Sequence, residues 1–453
     1  MIALDVNTEN DAYSKSYYII VISIYISIFI NSFVFFKEPF EFYIGYLIYL
    51  FLLPGFIRKY GFNRSLVWIF GLLLISGVFH VLIGNNETGQ FIKIYAGVLL
   101  SYFFYNYVIL EFDFDISRLF KWYLKGAYYS AVIGAIQFIS FQVGFGPGYR
   151  FNWILNKWGF IPGGNFGIRL NSIFGEPTYL GAVLSAAFFV SVYNFLSKKS
   201  FYLTKFQSAL IIVIYILSFS GLGQVGIFLT LALLAISFGL LRYIYVLIPL
   251  AVFLFSLFYN NSKDFRERFD SIITLFSTGK FELGKTHGSS FILYNNYVVA
   301  IENVSHNTLF GSGLGSHPMA FAKYSTARNF TTYGFNLNSQ DANSMFLRLI
   351  SETGIFGVGI FIFLIFRGYV RRDLNNETYH WIVSNSILVM ILLNLFRQGH
   401  YFLNGFPFFV ILYYYNSVSY KTYLATGRTL YQETRGLEQL EQNKIEAEGQ
   451  VST

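Results

Sequence analysis

The sequence contains no cysteine, and only 12% of its residues are charged. Without cysteine, neither disulfides nor thiolate metal sites can hold the chain together. A soluble domain normally carries about 25% charged residues, so the shortage of charge excludes an ordinary water-soluble fold. Hydrophobic residues instead make up 55% of the chain. The composition therefore predicts a protein that is largely embedded in lipid.

Long apolar runs recur along the chain and set its predicted architecture. Because a helix needs about 20 apolar residues to cross a bilayer, we predict an all-α, polytopic integral membrane protein with about 12 transmembrane helices. The predicted spans are 17–36, 40–57, 65–84, 91–110, 126–143, 178–196, 208–220, 225–241, 243–259, 345–366, 381–396 and 401–418. Residues 1–418 form one transmembrane domain with two large loops, 144–177 and 260–342, and residues 419–453 form a polar tail.

The positive charge predicts the orientation of the spans. A net charge of +8 would suggest nucleic-acid binding in a soluble protein, but here the basic residues flank apolar runs. Alternate short connections are rich in Lys and Arg, as at Arg58, Lys121, Lys198 and Arg371, and such connections are cytoplasmic in membrane proteins. We therefore predict that both termini are cytoplasmic, that both large loops are external, and that no nucleic acid is a partner.

Arg169 and Glu176 close the first large loop, at the mouth of the span that begins near Thr178. Pro177 favours a helix start, because its missing N–H is not needed there. Glu176 then lies beside the positive end of that helix. The two charges are either a loop ion pair that caps the helix or part of a site at the membrane surface.

A second charged pair lies inside an apolar span. Arg348 and Glu352 are four residues apart and share a helix face. A charge at the centre of a span costs roughly 2.5–3.5 kcal/mol, so such residues are functional candidates. The alternative is a mutually neutralising pair that locks two helices. His287, His306 and His317 do not have zinc-site spacing, and we predict no metal site.

Three segments resemble the O-antigen polymerases of the Wzy type. Arg169-x-x-Ser-x-Phe-x-Glu176-Pro-Thr is similar to their Arg…Phe-x-Glu-Pro segment, and Gly311-Ser-Gly-Leu-Gly315 to their late Gly-x-Gly-x-Gly turn. Asn343-Ser-Met-Phe-Leu-x-x-x-x-Glu352-x-Gly-x-x-Gly resembles a signature shared with O-antigen ligases. Arg268 and Gly279 fit a short Arg-x10-Gly spacing described for some polymerases. The motif order and the predicted spans extend this resemblance over nearly the whole chain.

Two positions depart from the pattern of the superfamily. Asn343 stands where the ligases have histidine, and an amide cannot act as a base, which favours a polymerase over a ligase. The Ser-Arg-x-Gly segment after the seventh span is Ser220-Gly-Leu-Gly223 here. The role of that arginine is therefore missing or has moved to another residue.

The resemblance implies a polymerase that joins undecaprenyl-pyrophosphate-linked oligosaccharide repeat units on the external face of the bacterial inner membrane. The product is O-antigen, capsule or exopolysaccharide, and the transfer needs no metal or other cofactor. The residues expected at the pyrophosphate and substrate are Arg169, Arg268, Arg348, Asn343 and Glu352. The first candidate for the base is Glu176, and the alternatives are Asp341 and His317.

The expected partners are the lipid-linked oligosaccharide, membrane lipid, a chain-length regulator and a flippase. Three alternatives to the polymerase stay open at this point. The first is a glycan ligase of the same superfamily. The second is a flippase or transporter of the lipid-linked sugar, which would predict internal repeats that we do not see. The third is a membrane scaffold without chemistry.

Overall fold

The computed structural model describes residues 15–36, 41–282, 286–327, 336–373, 378–437 and 439. In this part of the chain the regular structure is helical, and two isolated bridges join Val34 to Tyr43 and Pro162 to Ile168. The helices are α1 Lys15–Phe29, α2 Ile44–Tyr60, α3 Arg64–Leu82, α4 Thr88–Glu111, α5 Ile116–Gln142, α6 Gly146–Tyr149, α7 Pro177–Leu196, α8 Lys205–Leu217, α9 Gly221–Ser237, α10 Ile244–Asn261, α11 Lys263–Thr278, α12 Gly288–His306, α13 His317–Tyr324, α14 Met345–Gly368, α15 His380–Arg397 and α16 Phe406–Thr426. A 3-10 turn, Leu240–Tyr243, precedes α10. The predicted all-α class is confirmed for these residues.

Among the described residues, five helices are long and apolar enough to cross a bilayer: α3, α4, α7, α14 and α15. A sixth span results if α9 and Leu240–Val246, which are bent by 111° at the break between them, count as one. The chain is therefore consistent with a membrane-embedded protein. Every predicted apolar run overlaps a helix. The helices other than these are shorter or less apolar than the five that could cross a bilayer.

Two predicted boundaries are wrong, and one predicted loop contains helices. The first span was extended to residue 36, but α1 ends at Phe29, because the chain beyond it pairs its backbone with residues 42 and 43. The segment 260–342, predicted as a loop, contains α11, α12 and α13, since an amphipathic helix needs no long apolar run. The tail was placed from residue 419, but α16 continues to Thr426 and ends at Gly427, whose φ is +73°. The predicted cytoplasmic termini, 1–14 and 440–453, lie outside the described residues.

α7 and α15 form the centre of the bundle. α7 packs against α8, α9 and α15, and α15 also packs against α14 and α16. Small side chains on α7, such as Gly181, Ala182 and Ala186, are buried and allow helices to approach closely. The Tyr123 hydroxyl of α5 donates to the Val183 carbonyl (2.6 Å) and accepts from the Ala187 N–H (3.0 Å). These hydrogen bonds join α7, which begins directly after Glu176, to α5.

α14 is broken at Gly354, where φ is +64° and ψ is −167°. The connection 308–313 inserts at the break and satisfies the backbone groups that the helix leaves open. Four backbone hydrogen bonds join the segments: Ile355 N–H to Thr308 (3.0 Å), Phe356 N–H to Leu309 (3.1 Å), Ser312 N–H to Ser351 (3.1 Å) and Gly313 N–H to Glu352 (2.9 Å). A Cβ at Gly354 would lie 2.4 Å from the Leu309 oxygen. Gly354 therefore allows close backbone contact at the break in the helix.

We expect Gly354→Ala to destabilise the protein. A non-glycine residue at positive φ costs roughly 1–3 kcal/mol, and the added Cβ overlaps the inserted backbone as well. The measurement is thermal unfolding of the purified protein in detergent. The matched control is Gly359→Ala in the same helix, where a Cβ meets nothing within 4 Å and alanine should stabilise the helix slightly. Equal melting temperatures for the two variants would contradict the assigned break.

Candidate functional site

A buried ion pair lies on the first half of α14. Arg348 Nε donates to Glu352 Oε1 at 2.9 Å, and the two side chains are 2% and 0% exposed. Arg348 Nη1 donates to the Gly399 carbonyl at 2.8 Å, and the Tyr401 hydroxyl donates to Glu352 Oε2 at 2.9 Å. The guanidinium also stacks on the Tyr401 ring at 4.6 Å. We call these residues the buried network.

The buried network bears on two predicted roles. Arg348 and Glu352 were expected at the pyrophosphate, but both side chains are enclosed, and their charged atoms are committed to each other and to residues 399 and 401. Removing a charge from water costs several kcal/mol unless it is paired and hydrogen-bonded. Their environment therefore supports the alternative role, a pair that locks α14 to the segment after α15.

His317 is fully buried at the start of α13. Its Nε2 lies 2.9 Å from Asn296 Oδ1, and its backbone N–H donates to Glu352 Oε1 at 3.4 Å. Burial and the nearby Arg348 lower the pKa of His317 to about 3, although Asp341 acts in the opposite direction. The imidazole is thus neutral at physiological pH and a weak base, which argues against its predicted role as the base.

Asp341 forms a pair that the sequence did not predict. Its Oδ2 lies 2.9 Å from His400 Nε2, and its Oδ1 accepts from the backbone N–H of Asn343 at 3.0 Å. Burial alone would raise the pKa of Asp341, but His400, the Asn343 N–H and Arg348 outweigh it and hold the pKa well below its usual value. Asp341 is therefore an ionised carboxylate. Asn343 contributes through its backbone, at a φ of +54° that asparagine tolerates.

Two further carboxylates lie around the same point. Glu41 accepts from Lys157 Nζ and from the Tyr43 hydroxyl. Burial alone would raise its pKa, but these two hydrogen bonds and His400 lower it. Tyr179 lies within electrostatic range of Glu176, Asp341 and Glu41, and its ring is 6.4 Å from that of His400. We call Glu41, Glu176, Asp341, Tyr179 and His400 the acidic cluster.

Glu176 is the exposed member of the acidic cluster. It precedes α7 as predicted, and its Oε2 accepts from Thr178 Oγ1 at 3.1 Å. No hydrogen bond runs from its side chain to the backbone of that helix start. Glu176 is therefore accessible from outside the protein, whereas Asp341 is nearly enclosed.

A second site, which we call the cationic cavity, has a volume of about 270 Å³. Its walls are Gly164, Asn165, Phe219, Gln224, Ser262, Lys263, Glu267 and Arg268. A Cβ on Gly221 would lie 2.5 Å from Arg268 Nη1, so the guanidinium fills the side-chain space at position 221. Arg169 approaches the same loop, because its Cδ lies 3.3 Å from where a Cβ of Gly163 would be. Arg169 therefore lies next to the loop that supplies Gly164 and Asn165 to the cavity walls.

The segment 397–401 connects the three groups of residues. Arg397 Nη2 donates to the Ser289 carbonyl at 2.9 Å, and Arg397 is an electrostatic neighbour of Arg268. Gly399 and Tyr401 belong to the buried network, and His400 belongs to the acidic cluster. The sequence analysis did not select this segment. The feature of the sequence that could have identified it is the polar run Arg397-Gln-Gly-His-Tyr401 between two apolar runs.

Metal binding has no candidate in the described part of the chain, where no three His, Asp or Glu side chains are arranged to hold an ion. A scan against protein-family models and a search of curated proteins both give no match for this chain.

Breaking the buried pair should destabilise the fold strongly. In Glu352→Gln, the Arg348 cation stays buried without its carboxylate, and such a loss costs roughly 3–5 kcal/mol. The control is Glu267→Gln, which removes the partner of Lys263. Lys263 Nζ lies 3.6 Å from Glu267 Oε1, and the two side chains are 81% and 47% exposed. Exposed pairs contribute about 0–1 kcal/mol. Thermal unfolding in detergent measures both variants, and similar melting temperatures would refute the structural role of Glu352.

Proposed function

We propose that this chain is a polymerase that joins undecaprenyl-pyrophosphate-linked oligosaccharide repeat units on the external face of the bacterial inner membrane. The observation that carries the proposal is the position of Arg268. The polymerases that the motifs resemble have an arginine where this chain has Gly221. Here the guanidinium of Arg268, from α11, occupies the side-chain space of that glycine. The contact supports the view that a cation lies at the same place as in those polymerases, supplied here by α11.

The chemistry that these residues support is glycosyl transfer with a pyrophosphate leaving group. The bond between the anomeric carbon of the donor sugar and the phosphate oxygen breaks. A hydroxyl oxygen of the acceptor unit bonds to that carbon, and its proton passes to a base. The lipid pyrophosphate leaves with the bonding electrons. Fixed cations stabilise the charge that develops on it, and arginine holds phosphate oxygens with a planar, permanently charged fork.

We assign the leaving group to Arg268 and Arg169, and the acceptor hydroxyl to the acidic cluster. Glu176 remains the first candidate for the base, because it is the exposed carboxylate there. The Asp341–His400 pair is the second candidate, since His400 is 23% exposed and Asp341 orients its ring through Nε2. His317 and Arg348 are not part of this assignment.

We also propose the twelve-span topology with both large connections external and both termini cytoplasmic. Contacts between distant connections support it, because connections predicted on the same side meet. The contacts between predicted external segments are Asn86–Leu314, Gly221–Arg268 and Asp341–His400. The contacts between predicted cytoplasmic segments are Lys59–Glu111, Ser117–Tyr202 and Asp113–Arg435.

The absence of cysteine makes this topology directly testable. We expect Gln340→Cys, exposed on a predicted external segment, to react with a membrane-impermeant maleimide in intact spheroplasts. Ser200→Cys, exposed on a predicted cytoplasmic connection, should react only after the membrane is permeabilised. The cysteine-free parent chain is the blank. Labelling of Ser200→Cys alone in intact spheroplasts would reverse the topology and remove the site from the external face.

Arg169→Ala should abolish long surface polymer while leaving the single-repeat product and the amount of protein unchanged. Arg268→Ala should lower polymer at least tenfold for the same reason, loss of charge stabilisation at the leaving group. Adding Gly221→Arg to Arg268→Ala should restore part of the polymer, because it returns a guanidinium to the same space. Gel analysis of surface glycan from the native host, complemented with each variant, measures the chain length.

Arg242→Ala is the matched control, since Arg242 is an exposed arginine in a predicted cytoplasmic connection. It should leave polymer length unchanged. Normal long polymer in both Arg169→Ala and Arg268→Ala would refute the proposed enzyme site. A deletion strain without any surface glycan, rather than with single units, would indicate a flippase.

A ligase of the same superfamily is the second candidate, and one observation favours it. Asn343 lacks an imidazole, but Asp341, whose Oδ1 accepts from the Asn343 N–H, holds the imidazole of His400. A histidine therefore stands beside the position where the ligases have theirs. The attached acceptor separates the two functions, because a ligase deletion leaves full-length polymer on the lipid carrier, whereas a polymerase deletion leaves single units.

A further inference from the structure

An apolar groove opens between α8, α9 and α10, outside the sites described above. It has a volume of about 310 Å³, within the range of about 300–1,000 Å³ that is usual for ligand sites. The side chains that form its apolar walls are Ile216, Phe219, Ile227, Leu254, Leu257 and Phe258. Ile216 and Leu257 are 47% and 43% exposed, so the groove is open along the outer surface of the bundle.

The groove exists because α10 packs chiefly on α11 and on the 3-10 turn before it. Phe258 of α10 contacts Phe228 of α9 edge to face, at 5.9 Å between ring centres. Above this contact, the two helices and the end of α8 leave the apolar space open. A cleft between packed helices that faces the bilayer is a place where a lipid chain can lie without opening the fold.

The apolar groove runs directly into the cationic cavity. Asn165, Phe219, Gln224 and Ser262 line both spaces. On the polar side, two cations, Lys263 and Arg268, accompany one carboxylate, Glu267. The first turns of α9 and α11 begin here, and the N-terminus of a helix favours an anion. One end of the combined site therefore suits an anionic head group, and the other suits a hydrocarbon chain.

We propose that this combined site binds a single-chain lipid with a phosphate or pyrophosphate head, a polyprenyl phosphate. The head lies in the cationic cavity, and the isoprene units nearest to it lie in the groove between α8, α9 and α10. The inference rests on the proposed function and adds the path of the lipid tail. Aromatic walls at Phe219 and Phe258 suit the branched, unsaturated units of such a chain. The net positive charge of the cavity, where Arg268 lies beside the Lys263–Glu267 pair, suits an anionic head.

A second apolar groove serves as the comparison. It has a volume of about 460 Å³, lies between α2 and α4, and includes Leu50 and Lys93. It is larger, but none of the residues of the cationic cavity line it. A lipid chain that binds by apolar area alone would favour this larger groove. A lipid that is selected by its anionic head would favour the smaller one.

The test uses undecaprenyl phosphate with a diazirine on the isoprene unit nearest the phosphate, added to the full-length protein in nanodiscs. After irradiation, we expect adducts on α9 and α10. Leu254→Trp and Ile227→Trp fill the groove and should weaken binding of the lipid at least tenfold by native mass spectrometry. Leu50→Trp, the matched control, should not weaken it. Arg268→Ala should weaken binding of inorganic pyrophosphate, whereas Leu254→Trp should not.

Adducts on α2 and α4 would overturn the lipid site. Equal competition by phosphatidylglycerol for the labelling would also overturn it, because the contact would then be one that any membrane lipid makes. The wild-type adducts keep the test valid even where a tryptophan variant fails to fold. Adducts on α9 and α10 together with normal polymer in Arg169→Ala and Arg268→Ala would sink the proposed function and leave the lipid site standing. Loss of polymer in Arg169→Ala and Arg268→Ala, with adducts on helices other than α9 and α10, would support the proposed function and refute the lipid site.

Discussion

The buried pair of Arg348 and Glu352 is the interaction on which the candidate sites depend. Two charges removed from water are tolerable only when they are paired and their remaining hydrogen-bonding groups are used. Here that requirement brings the carbonyl of Gly399 and the hydroxyl of Tyr401 onto α14. The segment 397–401 is thereby held in one place, and it carries His400 toward the acidic cluster and Arg397 toward the cationic cavity.

The break in α14 imposes a second constraint of the same kind. In an apolar environment every backbone N–H and C=O needs a partner within the protein. The inserted connection 308–313 supplies those partners around Gly354, and it can do so only because glycine admits the close approach. The chain that leaves this connection enters α13, which brings the backbone of His317 onto Glu352. The Gly-rich stretch 311–315 is thus part of the scaffold.

The two candidate sites divide the charge of this region. Carboxylates gather around Tyr179 and His400, while Arg268, Lys263 and Arg169 gather at the loop before α7 and the turn before α9. In the proposed reaction, this division separates the acceptor hydroxyl, which loses a proton, from the pyrophosphate, which gains negative charge. A transfer reaction needs both environments at once, and the segment 397–401 contributes a residue to each.

The sequence by itself determined the apolar helices and the Arg348–Glu352 pair within α14. Apolar runs form helices because a helix makes all of its backbone hydrogen bonds within one segment, as lipid requires. Arg348 meets Glu352 because residues four apart lie on the same face of a helix. It did not determine that the segment 260–342 contains α11, α12 and α13, since amphipathic helices such as α11 have no long apolar run. Only the tertiary structure decided that His400 meets Asp341 and that Arg268 fills the space of Gly221. Such contacts depend on how distant helices cross and on how their connections fold over them, and no local pattern encodes that geometry.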